Sequence, residues 1–393
     1  MTTRTETTPI DAAQAIDAGQ AIDAAQAIDA AEAMGASGAA GSAREPAATG
    51  APATTREPVA TGEATPATED EFLEVRRGPT VRHLLSIADL DREGILEIMR
   101  LSDAFAEVAQ RPIPKVPALR GRTVATVFME PSTRTRLSFE TAAKRLSADV
   151  MTFTAATSAA VKGESLRDTV ETIDAMGIDA MVIRHQASGA PLRVTDWIGA
   201  SVINAGDGTH EHPTQALLDC YTIREALTER RGGEVPADLT GLRIAIVGDI
   251  KHSRVARSNV LAFSALGAEV MLVAPPTLMP ASLEGWPVTA TGDLDGTLGE
   301  LDVVYLLRIQ SERLGEVLLP SLDEYHWRYG LTKARAAALK PEAIVMHPGP
   351  MIRGVEIAPE VADLPATLVT RQVRNGVLVR MAVLFHLLGS GVV

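Results

Sequence analysis

Short apolar runs alternate with longer helical patterns over most of the chain. Each run has the length of a buried strand, and helical periodicity separates most of them. Because strands that alternate with helices form parallel sheets covered by helices, the pattern predicts an α/β fold. Eight strands favour two halves of four strands each, or slightly more. The predicted strands are residues 123–129, 149–153, 180–183, 201–204, 243–247, 269–273, 303–307 and 343–346.

The hydrophobic pattern also indicates where the folded region begins and where it divides. The folded part is predicted to start near Gly78. An amphipathic helix is expected after Leu84 and through Leu101, with Ser86 or Asp89 as its cap. Glycine and proline residues cluster at about residues 230–240, between the fourth and fifth predicted strands. We therefore expect two domains that meet near this break.

The N-terminal part of the chain has a different composition. Residues 1–71 contain no aromatic side chain, so they cannot bury enough apolar area to offset the entropy lost on ordering. Isoleucine, and finally Met34, recurs every six residues, a spacing that a helix would scatter around its surface. Residues 1–77 are predicted to be a disordered low-complexity extension, with a transient helix or a partner-docking segment as the alternative. They lack the features of a secretory signal or an organelle transit peptide.

Charge and composition exclude several classes of partner. The formal net charge is -13, and residues 1–71 carry twelve acidic residues against three arginines, so the remainder is only mildly acidic. The chain has neither a basic face suited to nucleic acid nor an apolar run of about eighteen residues, so we expect no nucleic-acid or membrane partner. The single cysteine, Cys220, excludes an internal disulfide and a thiolate metal cluster. A cytoplasmic protein without a metal is expected.

The sequence EPSTRTR, residues 130–136, follows the first predicted strand and opens a helix. Its first turn offers unpaired backbone N–H groups, three hydroxyl groups and the guanidinium groups of Arg134 and Arg136. The helix dipole and these donors act in the same direction, so the segment is predicted to bind a phosphate. A well-capped helix with solvated arginines is the alternative, but two arginines within three residues of each other would repel each other without an anion.

Polar residues follow the third and fourth predicted strands as well. Arg184 and His185 come after one strand, and a segment that contains His210 and His212 comes after the other. Ligands of open α/β sheets bind at the carboxyl ends of the strands, so these side chains are candidates for the same site. The two histidines lack a third metal ligand at a plausible spacing. A hydrogen-bonding role at the start of the next helix fits His212 better.

Three motifs together resemble the transcarbamoylase family, whose members move a carbamoyl group from carbamoyl phosphate to an amine. They are FMEPSTRTR at residues 128–136, HPTQALLD at 212–219 and HPGP at 347–350. Their order and spacing match the family over about residues 80–390. The resemblance implies two parallel-sheet domains joined by interdomain helices. Residues 78–225, with a C-terminal helix of about 371–393 packed against them, are expected to bind carbamoyl phosphate, and residues 226–370 aspartate.

The amine acceptor is predicted to be L-aspartate rather than ornithine. The ornithine enzymes carry a cysteine in the motif that is HPGP here, and this chain has none there. Residues 248–258 and 306–313 resemble the aspartate-specific members. A dicarboxylate needs two cationic partners, and Arg254 and Arg308 each follow a predicted strand of the second domain. The implied reaction belongs to pyrimidine biosynthesis and needs no cofactor; another acceptor, or a non-catalytic partner-binding subunit, is the alternative.

The resemblance also implies roles for individual residues. Catalysis is assigned to Arg134, Thr135, Arg184, His212 and Lys162. Carbamoyl phosphate is assigned to Ser132, Thr133, Arg134, Thr135, Ser158, Arg184, His212, Gln215, Gly349 and Pro350. Aspartate is assigned to Lys162, Arg254, Arg308 and Gln310. The Gly349–Pro350 bond is expected to be cis, because backbone carbonyls there must face the substrate and only X-Pro bonds adopt cis at low cost.

The loop of residues 158–164 resembles one that family members donate to the active site of a neighbouring subunit. It would place Lys162, and with it Ser158, in the adjacent site. A homotrimer with shared active sites is therefore expected. Residues 351–357 resemble the form found in members that lack a dedicated regulatory chain, some of which associate with dihydroorotase. A larger assembly with a regulatory chain or with dihydroorotase is a further possibility that the resemblance raises.

Overall fold

The computed structural model describes residues 81–154, 164–232, 237–310 and 318–389. The predicted N-terminal extension lies outside the described residues, and so do Ser158 and Lys162. Among the described residues, no helix combines the length and apolar character needed to cross a membrane.

Two parallel sheets form the centre of the fold. The first has the strand order β2-β1-β3-β4, and the second has the order β7-β6-β5-β8-β9. All pairings between neighbouring strands are parallel. The strands are β1 (Thr123–Phe128), β2 (Asp149–Thr154), β3 (Ala180–His185), β4 (Ser201–Asp207), β5 (Arg243–Val247), β6 (Glu269–Val273), β7 (Val288–Thr291), β8 (Val303–Leu306) and β9 (Ile344–Met346).

The predicted α/β fold with two parallel sheets is confirmed, and all eight predicted strands are present. The second sheet contains one more, β7, which the pattern did not predict. Its sequence is Val-Thr-Ala-Thr, and its two central residues are exposed at the edge of the sheet. An edge strand need not be apolar on both faces, so it leaves no continuous apolar run in the sequence.

Helices cover the sheets and connect them. The described helices are α1 (Arg92–Ala109), α2 (Thr133–Arg145), α3 (Leu166–Asp174), α4 (Ala190–Thr195), α5 (Pro213–Arg231), α6 (Arg254–Ala265), α7 (Leu322–Tyr329), α8 (Lys333–Ala337), α9 (Pro359–Ala362) and α10 (Val369–Leu388). Helix α10 packs against α1, α2 and α5, which places the end of the described chain beside the first sheet. Helix α5 also packs against α6, so it connects the two halves. The proposed division between residues 225 and 226 falls within α5.

The predicted cap of the first helix is wrong in detail. Ser86 caps a short 3-10 helix, Ile87–Asp89, by accepting the backbone N–H of Ala88 at 3.0 Å. The longer helix α1 begins after it, and Asp91 caps that helix by accepting the N–H of Gly94 at 2.8 Å. The amphipathic pattern ran through both helices without a visible break, so it could not separate them.

The carboxyl ends of the strands in both sheets carry the polar motifs. The segment from Glu130 to Arg134 follows β1, Arg184 lies at the end of β3, and Arg254 opens α6 after β5. Arg308 follows β8 and the HPGP segment follows β9. Parallel strands bring their carboxyl ends to one edge, which is where open α/β sheets bind ligands. The fold thus collects residues far apart in the sequence.

The central strands should contribute more to stability than the edge strand. Ile246 is fully buried in β5, whereas Thr289 is exposed in β7. We expect Ile246→Ala to lower the free energy of unfolding by about 2–5 kcal/mol, because it removes buried methyl groups and leaves a cavity. Thr289→Ala should change it by less than about 0.5 kcal/mol. Urea denaturation of both variants checks this, and equal losses would contradict the assigned burial.

Candidate active site

A cleft of about 540 Å³ lies where the carboxyl ends of the two sheets meet. This volume is in the range of small-molecule sites. All the predicted site residues that the structure describes line it: Ser132, Thr133, Arg134, Thr135, Arg184, His212, Gln215, Arg254, Arg308, Gln310, Gly349 and Pro350. The sequence predictions therefore converge on one place, and only Ser158 and Lys162 lie outside the described residues.

The start of α2 leaves several donors available to a ligand. Ser132 is the N-cap residue, but its side chain makes no capping hydrogen bond. Its hydroxyl instead donates to Thr135 Oγ1 at 3.1 Å. A helix start without a side-chain cap retains unpaired backbone N–H groups, and these favour an anion. The arrangement is suited to a phosphate.

Arg134 extends from this helix start toward the loop that follows β9. A Cβ atom placed on Gly349 would lie 2.8 Å from Arg134 Cζ, so only glycine leaves room for the guanidinium group in this position. Gly349 also has a φ of 65°, in the left-handed region that favours glycine. Partial burial, and then the positive charge of Arg308, lower the pKa of Arg134. The two arginines thus lie near each other although they come from different sheets.

Arg136 does not contribute to the cleft, contrary to its expected part in the helix start. Its Nη1 atom donates to Thr154 Oγ1 at 3.2 Å, and its Nε atom lies 3.8 Å from Glu140. Arg136 is two residues from Arg134, and on a helix this places the side chains on different faces. The predicted anion site therefore contains one of the two arginines of the motif.

Glu130 bridges two arginines across the cleft. Its Oε1 atom accepts a hydrogen bond from Arg184 at 2.8 Å and another from Arg254. Burial acts to raise the pKa of Glu130, but the hydrogen bonds and charges of Arg254 and Arg184 outweigh it and lower the pKa. A Cβ on Gly206 would lie 2.9 Å from Arg184 Nη1, so the glycine allows the arginines to approach the backbone. Sequence reasoning gave Glu130 no role, because its partners are distant in the chain.

The two histidines that follow β4, His210 and His212, have different surroundings. His210 lies 3.1 Å from Asp207 through its Nδ1 atom, and it is half exposed. His212 is buried at the start of α5 and lines the cleft, and its backbone N–H donates to Ser258 Oγ at 2.9 Å. Burial, followed by the charges of Arg184, Arg380 and Arg254, lowers the pKa of His212 well below its ordinary value. This direction of shift favours the neutral imidazole of His212 at neutral pH.

Within the part of the chain that the structure describes, no three His, Cys, Asp or Glu residues are placed to hold a metal ion.

Hydrogen bonds orient the remaining polar groups of the cleft. Gln215 donates a hydrogen bond from Nε2 to Asp219 Oδ1 at 3.0 Å. The backbone N–H of Gln310 donates to Asp249 Oδ2 at 3.3 Å. His347 Nδ1 accepts the backbone N–H of Gly349 at 2.8 Å. These contacts fix the loops that follow β5, β8 and β9.

The predicted cis bond between Gly349 and Pro350 is confirmed.

Arg380 is a further cleft residue that sequence reasoning missed. It lies on α10 and is buried. Its Nη1 atom donates hydrogen bonds to Ser138 Oγ at 2.9 Å and to the carbonyl oxygen of Gly376 at 3.2 Å. Burial, with a further contribution from Arg184, lowers its pKa to about 10 although Asp219 acts to raise it, so the group remains charged at neutral pH. The sequence around it is an amphipathic helix without a motif, and it gave no signal of proximity to α2.

The cleft as a whole is suited to two anionic groups. Five arginines line it, namely Arg134, Arg184, Arg254, Arg308 and Arg380, and among the described lining residues Glu130 is the only acid. The start of α2, whose N-cap makes no side-chain hydrogen bond to the helix, is suited to one anion on the side of the first sheet. Arg254 and Arg308 follow strands of the second sheet and offer planar forks that match carboxylates. A phosphate and a carboxylate substrate can therefore lie side by side.

Comparison with known proteins agrees with this geometry. Residues 82–225 match the carbamoyl-P binding domain of aspartate/ornithine carbamoyltransferases, and residues 240–387 match their Asp/Orn binding domain. Two similar relatives are the aspartate carbamoyltransferase catalytic subunits of Acidothermus cellulolyticus and Streptomyces coelicolor, which are 60% and 58% identical. Both alignments cover 79% of this chain, with 94% of the first relative and 95% of the second.

Solved structures are also similar. Aspartate transcarbamoylase of Trypanosoma cruzi, in complex with carbamoyl phosphate and aspartate, has a TM-score of 0.70 at 31% identity, over 80% of this chain and 100% of that one. The catalytic subunit of the M. jannaschii enzyme has a TM-score of 0.66 at 37% identity, over 79% and 99%. The chain belongs to the aspartate/ornithine carbamoyltransferase family.

Proposed function

We propose that this protein transfers the carbamoyl group of carbamoyl phosphate to the amino group of L-aspartate, giving N-carbamoyl-L-aspartate and phosphate. The observation that carries the proposal is a cleft that is lined both by the start of α2, which has no side-chain cap, and by Arg254 and Arg308 of the other sheet. The relatives that are named aspartate carbamoyltransferase support the same reaction. The reaction supplies pyrimidine biosynthesis and takes place in the cytoplasm.

Carbamoyl phosphate binds on the side of the first sheet. Ser132, Thr133 and Thr135, together with the backbone N–H groups of α2, hold the phosphate, and Arg134 neutralises it. Arg184, His212 and Thr135 face the carbonyl oxygen. The Gln215 side chain and the backbone around Gly349 and Pro350 hold the carbamoyl nitrogen. In this arrangement residues 78–225, with α10, form the domain for this substrate.

L-Aspartate binds on the side of the second sheet, in the domain of residues 226–370. Arg254 and Arg308 pair with its two carboxylates, and Gln310 completes the site. Ornithine carries a cationic side chain, which these arginines would repel. The charge of the cleft therefore favours an acidic acceptor over a basic one.

The reaction requires orientation and charge stabilisation rather than a covalent nucleophile. The amine nitrogen attacks the carbamoyl carbon, negative charge builds on the carbonyl oxygen, and the bond from that carbon to the phosphate oxygen breaks. Arg134, Arg184 and His212 stabilise the developing charge. The departing phosphate takes the amine proton. No cofactor takes part in these steps.

The active site is completed by a second subunit of a homotrimer. The loop that contains Ser158 and Lys162 follows β2, an edge strand of the first sheet. An edge strand is a natural place for contact with another chain. Lys162 of the neighbouring subunit acts in catalysis and aspartate binding, and Ser158 contacts carbamoyl phosphate. The trimer can join a larger assembly with a regulatory chain or with dihydroorotase.

Arg134→Ala should reduce kcat by about 100-fold to 1,000-fold, because it removes a charged group that faces the transition state. The matched control is Lys144→Ala, on the same helix but exposed and outside the cleft, which should retain normal kcat. Formation of carbamoyl-aspartate and thermal unfolding are measured for both variants. Normal turnover in folded Arg134→Ala would reject the assignment.

The choice of acceptor is tested with the wild-type protein. Carbamoyl phosphate is supplied with either L-aspartate or L-ornithine, and the carbamoylated product is quantified. We expect product with aspartate and none above background with ornithine, because the cleft offers two arginines to an acidic side chain. Activity with ornithine alone would overturn the proposed acceptor, and activity with neither would overturn the proposed reaction.

The pH dependence of His212 follows from its burial. Its folded-state pKa is lowered, so in the ligand-free protein it should stay neutral as the pH falls from 8 to 6. Histidine in the unfolded chain takes up a proton at about pH 6.5, whereas His212 in the folded protein does not. The difference lowers the free energy of unfolding as the pH falls below about 6.5. NMR of histidine ring nitrogens, with His212→Gln for assignment, measures the titration. An ordinary imidazole titration at His212 would contradict this description.

Shared active sites are tested by mixing two inactive variants. Arg134→Ala and Lys162→Ala each lack one part of the site, but a mixed trimer contains interfaces at which Arg134 and Lys162 are both native. After dissociation and random reassociation at equal amounts, about a quarter of the wild-type activity should return. Unmixed variants treated identically are the control. No recovery, in trimers shown by mass to be mixed, would contradict a shared site.

A further inference from the structure

Asp219 is a buried carboxylate below the cleft that accepts four side-chain hydrogen bonds. It is fully buried on α5. Its Oδ1 atom accepts from Gln215 at 3.0 Å and from Gln372 at 2.8 Å. Its Oδ2 atom accepts from Asn259 at 3.1 Å and from Tyr305 at 2.6 Å. The four donors come from α5, α10, α6 and β8. Asp219 therefore connects helices beside the first sheet with α6 and β8 of the second half of the fold.

The carboxylate determines the orientation of the Gln215 amide. An ionised carboxylate has no donor, so Gln215 must turn its NH₂ group toward Asp219 and not its oxygen. Gln215 lines the cleft, and its Oε1 atom is therefore the group that it can offer to a ligand. Gln372 cannot exchange roles with it, because the Gln372 Oε1 atom accepts the backbone N–H of His347 at 3.1 Å.

We propose that Asp219 is a positioning residue that holds the Gln215 amide oxygen toward the cleft and thereby selects a carbamoyl group over an acetyl group. This inference rests on the proposed function. A carbamoyl group carries an NH₂ that donates to the Gln215 oxygen. Acetyl phosphate has almost the same shape, but its methyl group has no proton to donate. A site built to hydrogen-bond one group discriminates well against an analogue that lacks it.

Asp219→Ala tests the proposal, because it removes the partner that orients Gln215. We expect the KM for carbamoyl phosphate to rise by roughly tenfold, the usual size of one lost hydrogen bond with its orientation. The Ki of acetyl phosphate as a competitor should change by less than about twofold, since acetyl phosphate never used the Gln215 oxygen. Burial raises the pKa of Asp219 to about 6, so assays at about pH 8 keep the wild-type carboxylate ionised.

Two further variants separate positioning from general damage to the fold. Tyr305→Phe removes a donor from the other oxygen of Asp219 and leaves Gln215 anchored, so the preference for carbamoyl phosphate should persist. Asp219→Asn should also retain it. Its oxygen can face the glutamines while its NH₂ faces Asn259, whose buried Oδ1 atom has no partner in the described residues and can become the acceptor after the amide turns over.

The outcomes separate a failure of the role of Asp219 from a failure of the proposed reaction. Loss of the preference in Asp219→Ala alone supports the inference. Unchanged preference in that variant, a proportional rise of KM and Ki, or an equal loss of the preference in Asp219→Asn would overturn it.

If Asp219→Ala does not fold, Asp219→Ser carries the same comparison, because its shorter side chain cannot reach Gln215. If neither folds, equal affinity of the wild-type protein for the two phosphates overturns the inference and a preference of at least about tenfold supports it. A wild-type protein that transfers no carbamoyl group would defeat the proposed function instead.

Discussion

The ion pairs of Glu130 with Arg184 and Arg254 fix the position of the two sides of the cleft relative to each other. Five arginines line the cleft. Like charges that share one cleft repel each other, and the repulsion is stronger where water is partly excluded. Glu130 offsets part of that repulsion. It follows β1 of the first sheet, and Arg254 opens α6 after β5 of the second, so the same carboxylate joins the two sheets. The anionic groups of the substrates can provide the remaining compensation.

The rest of the fold supports this arrangement. Parallel strands direct the polar residues at the end of β3, and the polar segments after β1, β5, β8 and β9, to the same cleft. Helix α10 packs against α2 and brings Arg380 to the cleft, where it donates a hydrogen bond to Ser138 of α2. Asp219 connects α5, α6, α10 and β8 below the cleft, and its hydrogen bonds leave the Gln215 oxygen available to a ligand. Rigid elements thus fix the positions of groups that must act together.

The sequence predicted the parts of this structure that local patterns determine. Strand and helix periodicity gave the α/β fold, and the helix start with Ser132 and Arg134 was recognisable because its donors are adjacent in the chain. Other features depend on distant contacts. Arg380 and Ser138 are 242 residues apart, so nothing near either residue indicates their hydrogen bond. The same is true of Glu130, whose partner Arg254 is 124 residues away. Strand β7 and the separate cap at Asp91 were missed because their local patterns are ambiguous.

In the proposed reaction one cleft holds the phosphate and the dicarboxylate at the same time, and each sheet supplies part of the site. N-(phosphonacetyl)-L-aspartate joins a phosphonate to aspartate in one molecule, so its binding, measured by calorimetry, tests this arrangement. We expect one molecule bound per chain, and a loss of affinity of at least about tenfold in either Arg134→Ala or Arg308→Ala. Affinity that is unchanged in folded Arg308→Ala, or a stoichiometry of two independent sites, would show that the two anionic groups do not share one cleft.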